Sequence, residues 1–214
     1  MKRILCLSVI FLFFQLSPFQ SNAQSAKEAS KDTVLFMNGG KLAGEILDTS
    51  FRLVKFKYIK KNGKEKTITI ENDLVFSLTS KNGTEKIIYE QDTISGNYFS
   101  QDETRLFIYG EQDAEKHYHS PYVTAASILV GVASGAWGAF ICPIPPFVFS
   151  ALMLLPKIKI KYKTVSNPAF LNYDTYVLGY EKVARKKKLF HSLIGGIGGL
   201  AGGFLAFHVI YNPS

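Results

Sequence analysis

The chain has 214 residues, with 25 Lys and Arg against 17 Asp and Glu, for a net charge of +8. In a soluble protein such a balance would suggest nucleic acid. Here residues 1–23 hold +2, residues 24–119 hold −1 (14 basic, 15 acidic) and residues 157–188 hold +7, and this last block sits between apolar runs of membrane length, which argues for a topology signal or lipid contact and against a nucleic-acid partner.

Residues 1–23 have the pattern of a secretory signal peptide. Lys2 and Arg3 form a basic start, Ile4 to Leu16 an apolar core, and Ser21-Asn22-Ala23 a small-residue cleavage site. Cys6 leaves with that segment, so the mature chain keeps Cys142 alone and has no intrachain disulfide. Residues 24–31 are polar and read as a flexible leader.

Residues 32–91 read as a small β domain. Strands are expected over 33–37, 42–47, 52–60, 66–70, 74–78 and 85–89. Val54, Phe56 and Tyr58 alternate with Lys55 and Lys57, the period of a half-buried strand. Asn38-Gly39-Gly40, Asn62-Gly63 and Asn82-Gly83 are turn signals, since Asn and Gly tolerate positive φ. Gly44 marks a bend or bulge in the second strand. The fold class expected is a small antiparallel β barrel-like module, SH3-like or Sm-like, followed by α-helical membrane segments; an open meander packed on a helix is the alternative. Residues 92–119 form a linker, with a strand expected over Arg105–Tyr109 and a short helix over Glu111–Tyr118.

The run from Asp32 to Tyr89 also resembles the N-terminal module of an exported envelope-protein family of Bacteroidota. The matching positions are Asn38, Gly39, Gly44, Ile46, Asn82 and Gly83, with the later pieces IYGEQDAEKHY and GYEKVARKKK before a Gly-rich apolar end. The resemblance implies an envelope setting and a membrane-attached β module. It implies no chemistry.

Residues 121–156 contain no Asp, Glu, Lys or Arg. A helical span takes about 20 residues, and Pro121 to Ile141 meets that. Ser127, Gly131 and Gly135 lie at i,i+4 spacing and predict a helix-packing seam. Pro143, Pro145 and Pro146 then interrupt the pattern, and Phe147 to Leu155 is apolar again. One span with an interfacial tail, a tight hairpin and a re-entrant segment all fit. Charge favours the single span, because it puts the +7 block of 157–188 across the membrane from an exported β domain, while the prolines favour the hairpin.

Within that basic loop, Lys157, Lys159, Lys161 and Lys163 alternate with apolar residues as in a surface-lying strand. Tyr173, Tyr176, Val177, Tyr180 and Ala184 have helical spacing and are expected to face the bilayer surface or the first span. Arg185, Lys186, Lys187 and Lys188 abut the final apolar run, where they can snorkel to phosphates. Residues 189–211 read as a Gly-rich transmembrane helix, with Gly195, Gly199 and Gly203 at i,i+4 spacing to complete the seam.

No catalytic, cofactor or metal constellation emerges. His117 and His119 flank Tyr118 near acids Glu111, Asp113 and Glu115, without a third ligand at metal spacing. These features predict a non-enzymatic protein of the bacterial inner membrane, with the β module in the periplasm. Its partners would be the bilayer, anionic headgroups, a protein or peptide on the β module, or a second copy through the glycine faces. A transport or channel subunit and a membrane-associated enzyme are the competing classes; a transporter should carry an embedded charge, and the apolar runs hold none.

Overall fold

The structure, a computed structural model, describes residues 31–50, 52–94, 96–136 and 144–211. The expected signal peptide, most of the leader, Cys142 and Pro143 lie outside the described residues. Among the described residues six strands come first: β1 (Asp32–Phe36), β2 (Lys41–Thr49), β3 (Leu53–Ile59), β4 (Glu65–Glu71), β5 (Val75–Thr79) and β6 (Glu85–Ile87). Four α-helices follow: α1 (Gln101–His117), α2 (Pro121–Ala136), α3 (Ile144–Leu152) and α4 (Asp174–Tyr211).

The turn chemistry explains the strand order. Gly39, Gly63 and Gly83 have φ of 78°, 78° and 83° and reverse the chain between β1 and β2, β3 and β4, and β5 and β6. All pairings are antiparallel, in the order β4-β3-β2-β1-β5-β6. β2 is shared lengthwise: Lys41 to Gly44 pair with β1, while Glu45 to Thr49 pair with β3. Gly44 sits at that changeover, and a Cβ there would run into the Lys57 carbonyl and the Phe56 ring. The sheet therefore bends where only glycine lets the ring approach. The bulge lies further on, between Ile46 and Asp48. Asp32 clips the bend, accepting from the backbone of Ile46 (2.9 Å) and of Lys81 (2.8 Å).

One face of the sheet encloses Val34, Val54, Phe56, Ile70, Val75 and Leu78. The alternation on β3 is kept, with Val54 and Phe56 buried and Tyr58 packed at the margin. The sheet is open. β4 and β6 are its edges, and the expected closure into a barrel is not shown. Between the edges opens a cleft of about 850 Å³ lined by Arg52, Leu53, Glu71, Asp73, Lys86 and Tyr89, among others. The opposite face of β1 and β5 carries Leu35 and Phe76, which pack with Tyr89 on Ile108 of α1. Gln112 adds a hydrogen bond to the Gly39 carbonyl (2.9 Å).

The strand expected at Arg105–Tyr109 is instead the middle of α1. A capping box starts that helix: Ser100 Oγ accepts from the Glu103 amide, and Glu103 accepts from the Ser100 amide. Thr104, Ile108, Glu111 and Ala114 then share one buried face at helical spacing. The boundary expected at residue 189 also disappears, because α4 is one helix of 38 residues, about 57 Å long.

Candidate functional site

α4 is a spine that α1 packs along its first half and α2 along its second. The glycines set how close α2 comes. Gly195 lies against Thr124 and Ser127, Gly199 against the Ile128 backbone, and Gly203 against the Val132 backbone. From the other side Gly131 meets the backbone of Gly196, Gly199 and Leu200, and Gly135 meets that of Leu200, Gly203 and Phe204. Partner numbers rise together, so α2 and α4 run parallel. A Cβ at any of these five positions would collide with the facing backbone or with Ser127. The predicted seam residues Ser127, Gly131, Gly135, Gly195, Gly199 and Gly203 thus meet one another within a single chain.

α3 returns antiparallel on the same spine. Pro146 lies against Gly196, and Ser150 meets Ser192. Pro145 and Pro146 occupy its first turn, where a missing N–H costs nothing. Three hydroxyls meet at the centre: Ser192 Oγ is 2.8 Å from both Ser127 Oγ and Ser150 Oγ. Ser127 and Ser150 also bond the carbonyls of Val123 (2.7 Å) and Pro146 (2.8 Å). Such back-bonding satisfies a hydroxyl without water. Sequence reasoning missed Ser150 and Ser192. Ser192 stands one turn before Gly195 and Gly196 on the same face, which was the available signal.

The trunk formed by α2, α3 and residues 189–211 is packed inside out relative to the sheet. Its buried positions are Ser127, Gly131, Ser134, Gly135, Pro146, Ser150, Ser192 and the α4 glycines 195, 196, 199 and 203, while many of its large residues are exposed. Leu129 is 70% exposed and Leu155 75%, with Phe147, Phe190 and Leu205 more than half exposed. The stretch Asp174–Val209 is the one described helix long and apolar enough to cross a membrane.

The basic residues divide into two groups. Arg185 bonds Glu181 (3.0 Å) and donates to the Leu154 carbonyl just past α3 (2.9 Å). Lys187 donates to the carbonyls of Ala114 and Glu115 in the last turn of α1, and pairs with the Glu115 carboxylate (3.5 Å). Both cap the negative end of a neighbouring helix, a role different from the expected reach for phosphates. Lys188 is buried and Lys186 exposed. Lys157, Lys159, Lys161 and Lys163 are all exposed.

A buried carboxylate decides where the segment between α3 and α4 lies. Asp113 on α1 accepts from Tyr176 Oη (2.6 Å), the Ser166 amide (2.8 Å) and Ser166 Oγ (2.7 Å). Burial, with the carboxylate beside it, pushes the Tyr176 phenol far above its usual value, so it remains a donor. Ile158 and Val165 pack with Ala114, Tyr176, Tyr180 and Ala184. Residues 157–173 therefore lie on the sheet's side of the trunk. α2 and α3 run in opposite directions along α4, so residues 121 and 157 lie at the same end of the trunk, the arrangement of the hairpin and not of the single span that charge favoured. The packing also corrects the surroundings of Tyr176, Tyr180 and Ala184, which face α1. The β ribbon expected over 157–163 is not formed: residues 157–161 have no regular secondary structure and Tyr162–Thr164 is a short 3-10 turn. Among the described residues, no group of three His, Cys, Asp or Glu is placed to hold a metal ion.

Two outcomes follow from this packing. Gly131→Leu should force α2 off α4 and cost at least about 3 kcal/mol, read as a lower unfolding midpoint in detergent. Gly198→Leu, whose Cβ would meet nothing within 4 Å, should leave the midpoint no lower than in the parent chain. Asp113→Ala strands three donors and should cost about 2–3 kcal/mol. Trypsin should then cut after Lys161 and Lys163 faster than in the parent chain. No protein-family model, curated protein or solved structure matches this chain, so the site stands on its own geometry.

Proposed function

We propose that the chain is a non-enzymatic membrane protein of the bacterial envelope, with its trunk in the bilayer and its bent, barrel-like sheet held at the surface as a binding or scaffolding module. The observation that carries this is the reversed packing of the trunk, with small residues inside and Leu, Phe and Ile outside. Water would oppose that arrangement, since each exposed large side chain forfeits about 1.5–3 kcal/mol of burial. In lipid the outward residues cost nothing, and close backbone contact holds the helices together.

The sheet and the basic segment share one side of the bilayer in this reading. A cleavable leader at residues 1–23 commits that side to the periplasm of the inner membrane. The positive-inside tendency argues the reverse, but it acts on short loops during insertion, whereas the leader acts first. The resemblance to exported Bacteroidota proteins supports the same setting. We assign a protein or peptide partner to the cleft between β4 and β6, where free strand edges can accept an extended chain. A transport subunit is the weaker reading, because backbone contact between α2 and α4 closes the trunk interior. Homo-oligomers through the seam glycines are disfavoured for the same reason: those faces are already in use.

Alkaline carbonate extraction of the full chain from cell membranes tests the reading. Retention in the pellet is expected. Release into the supernatant, as for a peripheral protein, would refute it.

A further inference from the structure

Four lysines at the base of the trunk are held outward without any side-chain partner. Lys157, Lys159, Lys161 and Lys163 are exposed, and no acid engages them among the described residues. The nearby acids Glu115 and Glu181 are paired to Lys187 and Arg185. This is not a loose loop. Between the lysines, Ile158 is buried and Ile160 half-buried against α1 and α4.

Both ends of the segment are tied to α4. Arg185 holds the Leu154 carbonyl, and Tyr180 Oη donates to Thr164 Oγ1 (2.9 Å). Those two anchors are five residues apart on one helix, about 7.5 Å of axial rise. The four lysines therefore form a band between those two anchors. The apolar outer surface adjoins it at Leu155 and continues at Phe190. Tyr162, 73% exposed, lies within the band, and Tyr122, 89% exposed, lies in the first turn of α2 at the base of the trunk, the placement of an aromatic belt.

We propose that Lys157, Lys159, Lys161 and Lys163 form a docking surface for the anionic phospholipid headgroups of the leaflet on the sheet's side. The proposal rests on the membrane reading above. The backbone is already ordered, so little entropy is lost on contact, and each lysine near an anionic surface adds attraction that salt screens. An acidic protein would meet the same charges. The continuity with the apolar surface favours lipid.

The test reconstitutes the full chain in phosphatidylcholine bilayers containing spin-labelled phosphatidylglycerol or spin-labelled phosphatidylcholine. The motionally restricted fraction of each label reports its association with the protein. A several-fold preference for phosphatidylglycerol is expected, falling to near unity in K157Q/K159Q/K161Q/K163Q and at high salt. The same substitutions at Lys60, Lys61 and Lys64, in the β3–β4 turn, should leave it intact. An equal restricted phosphatidylcholine fraction in the variant shows that its trunk is folded. The proposal is overturned if the wild-type chain restricts both lipids equally, as it would were the lysines for an acidic protein, or if the variant keeps the preference. If neither label is restricted, the trunk is not embedded, and the membrane reading fails with it.

Discussion

The contact of the α2 backbone with the α4 backbone is the constraint on which the rest depends. Glycine at 131, 135, 195, 199 and 203 lets the two helix axes approach until carbonyls and Cα atoms touch. That proximity places Ser127 within reach of Ser192, and α3 can then fold back so that Ser150 joins them. The cost is helix propensity, about 1 kcal/mol for each glycine relative to alanine. Dispersion between close backbones offsets it.

Below the trunk the logic changes from small residues to buried polar anchors. Asp113 gathers three donors, and Arg185 and Lys187 engage carbonyls at the ends of the α3 and α1 segments. Each of these removes a polar group that would otherwise be orphaned beside apolar surface. Together they pin the segment between α3 and α4 to α1, and Ile108 and Gln112 hold α1 to the sheet. The long α4 carries both regions on one axis.

Much of the sheet was legible because its signals are local. Asn38-Gly39, Asn62-Gly63 and Asn82-Gly83 demand positive φ, and Val54-Lys55-Phe56-Lys57 states its own period. Closure was not legible, since nothing local says whether β4 and β6 meet. Arg105 to Tyr109 misled because Leu, Phe, Ile and Tyr in succession suit a strand. The Ser100-x-x-Glu103 box outranks that preference and starts the helix. The start of α4 was set at the change in composition near residue 189, but no helix-breaking signal stands there: Asp174 to Lys188 holds a single glycine, Gly179, which fits against Phe107. The glycine spacings in 127–135 and 195–203 identified the faces that meet, because close helix approach has few alternatives to small residues. The side on which 157–173 lies was not legible. It depends on the contact of Asp113 with Ser166 and Tyr176, residues more than fifty positions apart, and no charge rule reports such a contact.

The central claim is that the sheet and the basic segment lie on the same face of the bilayer, with the α2–α3 hairpin and the end of α4 inserted from that face. Thiol accessibility in intact cells and spheroplasts tests it most directly, with Lys64→Cys in the β3–β4 turn and Lys163→Cys in the basic segment, each after Cys142→Ser. The account predicts that an impermeant reagent labels both positions from the same side. Labelling of one from outside, and of the other only after the inner membrane is lysed, would contradict it.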